Sequence, residues 1–417
     1  MGVLPAVEDL FPLSSLGITP NRTWVHDPDP AYLRLRWERL VRAPAEEKGL
    51  LLKETRDRTI DKRVPPIEEL DEPSPPLRDE TGPCPEPIRM GFRSFDRQWL
   101  IPDGRVIDFP RRELWQAHSD RQIYLTEPRT QPVTAGPALT FTADLPDVDH
   151  YHGRGGRAVP LYRDKAATLP NTTPKLLDLL SSRLGFDVTG EDLFAYVAGV
   201  AAHSGFSERF ASALDGTGVR VPLTAEASLF EEARRIGCRV IWLHSYGRRC
   251  VDPSEGRPAG EPRLPDDRRP RAAVEIPIEP ESFPRRVKYE PATQTLHVGE
   301  GQIRPVPPAV WAYEVSGMRV MRKWFRSRIG KPTGRHPTPL DYVRPEHWTS
   351  AMNDGLRDLL HVLGLLIDLE PAQRDVLERV CAGPRIAVDE LLRAGVLPVP
   401  RSAQRRVPAD DAQTALF

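Results

Sequence analysis

The chain has 417 residues, 39% of them hydrophobic and 28% charged, and its 58 Lys and Arg against 59 Asp and Glu leave a formal net charge of −1. That length exceeds one ordinary core, so two or three packed units that fold without covalent staples are expected. The near-zero charge excludes a generally basic nucleic-acid coat, and any contact with DNA must come from segregated charge.

In chain order, residues 1–64 predict a helical coupler or linker, in which Asp29 to Arg42 repeats Tyr32, Leu33, Leu35, Trp37, Leu40 and Val41 at helical spacing with arginines between them. Residues 65–87 are acidic and Pro-dense, which suits a linker rather than a helix or central strand. From Trp99 to Phe141, short β-like runs alternate with Pro and Gly turns. Thr173 to Leu184 predicts a helix capped at Thr172 or Thr173 and closed by Gly185. Glu191 to His203, apolar on one face, predicts a core helix. Arg239 to Leu243 and Thr295 to Val298 predict strands, and 252–271 predicts an exposed loop. Trp348 to Leu369 and Pro371 to Cys381 predict two closing helices, and 398–417 a disordered tail. The fold class expected is α+β, a β-rich core (88–397) with flanking helical segments.

No run approaches the roughly 18 consecutive apolar residues that span a bilayer, and no basic and apolar leader opens the chain, which predicts a cytoplasmic protein without a membrane partner. Cys84, Cys238, Cys250 and Cys381 form no C-x-x-C pair, so neither a zinc knuckle nor a disulfide framework is expected. Only 8 of the 58 basic residues are lysine. An arginine bias of this size favours forked contacts to phosphate or guanine, and a GC-rich genome gives the same bias without selection.

The strongest functional signal is the stretch from Val310 to Arg328, where an apolar, strand-like run leads into Arg319, Arg322, Lys323, Arg326 and Arg328 with no acid among them; Lys331 and Arg335 extend it. Charge gathered on one aromatic-studded element suits a phosphate-facing surface, and a solvated amphipathic helix has the same pattern. Arg154 and Arg157 flank a glycine pair that lets backbone amides approach an anion, and Lys165 follows on the same segment. His150 and His152 share a strand face without a third ligand nearby, so no metal is expected. The P-loop, G-x-S-x-G and H-E-x-x-H motifs are absent, and no catalytic constellation or cofactor is expected.

Asp9-Leu-Phe-Pro12, Asn21-Arg-Thr-Trp-Val25, Arg36-Trp37 and Lys53 to Asp57 resemble the connection between methyltransferase and specificity domains in Type ISP restriction-modification enzymes. Phe92 to Ile101, Arg154 to Tyr162, Asp192 to His203, Arg220 to Leu223 and Val315 to Arg328 resemble the specificity domain, a likeness that extends to about Leu369. The resemblance implies sequence-specific recognition of double-stranded DNA, part of phage defence, with Arg154, Arg157, Lys165, Arg319, Arg322, Lys323, Arg326 and Arg328 as candidate contacts. The family's methyltransferase motifs are missing here, so an adenine-N6 DNA methyltransferase or restriction subunit would act as a separate partner. Two alternatives stay open: a noncatalytic remnant of a larger enzyme, and an enzyme with an unfamiliar metal site at His150, His152 and Asp147 or Asp149.

Overall fold

The computed structural model describes residues 3–67, 73–128, 132–151, 155–214, 218–330 and 336–404. The first third contains α1 (Val7–Leu10), β1 (Ser15–Leu16), β2 (His26–Asp27), α2 (Pro30–Arg42), α3 (Ala45–Leu52), β3 (Ile88–Arg93), β4 (Asp96–Leu100), α4 (Arg112–Gln116) and β5 (Tyr124–Pro128). The middle third adds β6 (Thr140–Thr142), β7 (Leu145–Pro146), β8 (Gly156–Pro160), α5 (Leu176–Leu184), α6 (Gly190–Ala201), α7 (Ser204–Arg209), β9 (Leu223–Thr224), α8 (Ala227–His244) and β10 (Arg271–Val274). The last third holds β11 (Val287–Glu290), β12 (Thr295–Val298), β13 (Gly301–Arg304), α9 (Pro308–Trp311), β14 (Glu314–Val315), β15 (Met318–Arg319), α10 (Val320–Ile329), α11 (Ser350–Ala382), β16 (Arg385–Ile386) and α12 (Val388–Arg393). Mixed α and β, the class expected, describes the whole.

Three four-stranded sheets have the orders β1-β8-β5-β6, β2-β4-β3-β7 and β10-β13-β12-β11. Three apolar clusters pack against them. One surrounds α6 and α8, a second unites α9, α10 and the first half of α11, and a third joins Trp24, Leu33 and Trp37 to Met90, Leu100 and Ile107. Segment 3–64 therefore shares a core with the β3–β4 hairpin. Asp29 caps α2 by accepting from Ala31 N at 2.9 Å, and Thr189 caps α6 in a reciprocal box with Asp192.

Several elements differ from expectation. Arg239 to Leu243 is the end of α8. Val240 to Leu243 is buried on every side, and a short continuous apolar run does not distinguish strand from helix by periodicity. The two closing helices are one, α11, which passes through Pro371. Its first half is anchored in one cluster by Leu356, Leu359 and Leu363 and its second in another by Val376, Leu377 and Val380, which holds the helix together across the missing N–H. Helix α5 starts later than expected, because Thr173 Oγ1 donates to Asp9 O at 2.7 Å instead of capping. Gly185 closes it in the left-handed region. The strand-like run at 310–315 reduces to the turn α9 and the two-residue β14. Within 252–271, Leu264 is buried and its N–H donates to His361 Nδ1 at 3.0 Å. Of the expected tail, residues 405–417 lie outside the described residues.

Candidate nucleic-acid interface

Helix α10 carries its sequence pattern into three dimensions. Val320, Met321, Trp324 and Phe325 are buried against α11, with Trp324 2% exposed, while Arg322 and Arg326 face outward and Lys323 is half-buried beside them. Among the described residues none of these three cations has an ion-pair partner. Burial and the neighbouring Arg93 and Arg326 pull the Lys323 ammonium below its ordinary value, partly offset by Asp149 and Asp96. This helix face thus lies beside the β3–β4 turn and the segment leading to the glycine loop.

The remaining candidates separate. Arg328 is buried, stacks on Trp324 at 3.6 Å and donates to Asp96 Oδ1 at 2.9 Å and Oδ2 at 3.2 Å. Arg157 is buried between Glu127 and Glu8, the latter at 2.7 Å. Both are internal struts, guanidinium groups withdrawn from water and satisfied by carboxylates. Arg319 is exposed and pairs with Glu314 at 2.9 Å across the β14–β15 hairpin. Lys165 is exposed on the turn after β8. Arg154, His152, Lys331 and Arg335 lie outside the described residues.

Side chains the sequence did not single out complete the surface. Arg93 stacks on Phe92 at 3.9 Å and reaches Asp147 at 2.9 Å and Asp149 at 3.6 Å. Arg344 donates to the carbonyls of Ser327 (3.3 Å), Arg328 (3.1 Å) and Gly330, closing the C-terminal end of α10. Arg326 and Arg344 border a cavity of about 60 Å³ together with Thr23, His26, Phe92 and Gln98. There His26 Nδ1 lies 2.8 Å from Gln98 Oε1, and burial lowers the imidazole to about 4, keeping it neutral. Arg344 left no signal in the sequence, since it sits in an irregular segment without periodicity.

His150 is buried, with Nδ1 3.1 Å from Gly91 O, and burial lowers it to about 4. Among the described residues no group of three or more His, Cys, Asp or Glu is placed to hold a metal ion. Nor is any described helix long and apolar enough to cross a membrane.

The model of the Type ISP C-terminal specificity domain matches residues 9–360. This chain belongs to that family. Among solved structures, the specificity domain is similar to a DrdV–DNA complex (17% identity, TM-score 0.57, covering 92% of this chain and 38% of that one). It is also similar to a nuclease-deletion mutant of the Type ISP restriction-modification enzyme LlaGI with a DNA substrate mimic (16%, TM-score 0.55, 91% and 33%). A third likeness is to the ATP-dependent Type ISP enzyme LlaBIII bound to DNA (13%, TM-score 0.61, 88% and 23%). At such identities the likeness establishes the fold, and this specificity domain spans between 23% and 38% of those chains. No curated protein matches it.

Proposed function

We propose that this specificity domain recognises a DNA sequence for a Type ISP-like restriction-modification system and acts with a separately encoded adenine-N6 DNA methyltransferase or restriction subunit. The observation that carries the reading is the outward face of α10, where Arg322, Lys323 and Arg326 have no ion-pair partner among the described residues, in a protein of nearly zero net charge. Unneutralised cations on a rigid element suit the phosphate contacts that set register on a duplex, while base edges are questioned by other side chains of the same surface. Arg319, Lys165 and Arg154 extend the proposed contact set. The DNA in the DrdV and LlaBIII complexes and the DNA substrate mimic in the LlaGI complex support the same reading.

The test is a selection from random duplexes, run with the protein alone and with a neighbouring-gene methyltransferase added. Recovery of one short motif is expected in at least the second arm, together with a complex that co-purifies at micromolar protein. Uniform sequences in both arms would remove the recognition role.

A further inference from the structure

Behind α10, away from Arg322 and Arg326, lies a second cavity of about 270 Å³ whose floor is one face of the β3–β4 hairpin. Strand register sets Arg89 opposite Trp99 and Gly91 opposite Arg97, and alternation then turns Arg89, Trp99 and Arg97 to the same side. Arg89 lies over the Trp99 ring at 4.0 Å, and Arg97 over Tyr246 at 3.7 Å. Trp324 and Arg328 of α10 and Asp354 and Asp358 of α11 form the other walls.

Three guanidinium groups, Arg89, Arg97 and Arg328, and three carboxylates, Glu261, Asp354 and Asp358, line the cavity, and the carboxylates pair mainly with arginines outside it. Asp96 is held by Arg328, Asp144 by both donors of Arg248 at 2.8 and 2.7 Å, Asp354 by Arg357, and Asp358 by Arg263 at 2.6 Å. Arg97 reaches Asp358 only at 3.5 Å, and Glu261 stands 3.9 Å from Arg263. Among the described residues Arg89 has neither a hydrogen bond nor an ion pair. Its burial and the proximity of Arg97, Arg248 and Arg328, opposed in part by Asp144, pull it down to about 10. A half-buried guanidinium that stacks on an aromatic ring, has no hydrogen-bond partner among the described residues and opens onto a cavity offers its donors to an anion brought from outside.

We propose that the cavity between the β3–β4 hairpin and helices α10 and α11 is a binding site for a phosphate-type oxyanion, held by the fork of Arg89 with Arg97 as the second donor. The aromatic stacks fix both planes, so the donors are positioned before the ligand arrives. A free phosphate and a phosphodiester of DNA share this chemistry.

Thermal unfolding and calorimetric titration of the full chain with inorganic phosphate, at constant ionic strength, test the site. A saturable rise in Tm is expected for the native protein and for Arg326→Gln, with affinity at least tenfold weaker in Arg89→Met, which keeps an unbranched side chain over Trp99. Tungstate soaked into native crystals provides a readout that needs no variant, with its anomalous peak expected between Arg89 and Arg97. A duplex-competition arm separates the sources. If the ligand is the DNA backbone, phosphate competes with duplex and Arg89→Met weakens duplex binding; if it is a free anion, neither occurs while the phosphate response persists. No saturable phosphate response, an equal response in Arg89→Met, or tungstate bound only elsewhere would overturn the proposal.

Discussion

At the residue scale, the two classes of arginine on α10 have opposite consequences when removed. Arg328→Met leaves Asp96 as an uncompensated carboxylate in the interior, and loss of one partner of such a pair costs about 3–5 kcal/mol. Denaturant unfolding is expected to show that loss, and a variant as stable as the native chain would contradict the strut assignment. Arg322→Ala, exposed and unpaired, is expected within about 0.5 kcal/mol of native stability. Histidines set the acid response. His26, His150 and His203 are lowered to about 4 and His244 to about 3, all by burial first, and His244 Nδ1 must stay unprotonated to accept Phe141 N–H at 3.0 Å. The unfolded chain therefore binds more protons between the ordinary imidazole value of 6.5 and about 4, so stability falls as pH drops through that window. Asp147, raised to about 6 by burial, works in the opposite sense below pH 6 and offsets part of the loss. Urea midpoints measured from pH 7.5 to 5 are expected to begin falling near 6.5; a midpoint unchanged down to pH 5 would contradict this.

At the element scale, helices α6 and α8 cross with their backbones in close approach. Gly237 of α8 and Gly199 of α6 face each other's helices, and a Cβ at Gly237 would lie 1.6 Å from Ala195 O. Gly237→Ala is expected to force the helices apart and lower stability by roughly 1–3 kcal/mol, the range for overpacking, as read from the unfolding midpoint. An unchanged midpoint would show that the crossing is looser than described. Those glycines also show where sequence legibility stops. Helices α2 and α6 were readable because their apolar spacing is a local signal. The end of α8 was not, because burial on all sides erases periodicity at Val240 to Leu243. Pro371 was a sound local stop signal that tertiary anchoring at both ends of α11 overrode.

On the scale of the whole molecule, the arginine-rich composition divides between interior and surface. Arg22, Arg36, Arg157 and Arg328 are buried with Asp108, Asp27, Glu127 and Asp96, so part of the bias serves the core. That division was invisible in the sequence, where Arg328 stood among the other cations of its stretch and the carboxylate that claims it lay more than two hundred residues away. The outward positions of α10 were legible as a class, because helical spacing put Trp324 and Phe325 on one side and Arg322 and Arg326 on the other. In the proposed function those cations meet phosphates. The direct measurement is the slope of log affinity against log salt for duplex DNA, native chain against Arg322→Glu, Lys323→Glu and Arg326→Glu combined, with circular dichroism confirming the fold. Weaker binding is expected, with a slope smaller by about 0.9 for each phosphate no longer neutralised; a slope and affinity equal to the native chain's would contradict phosphate contact by α10.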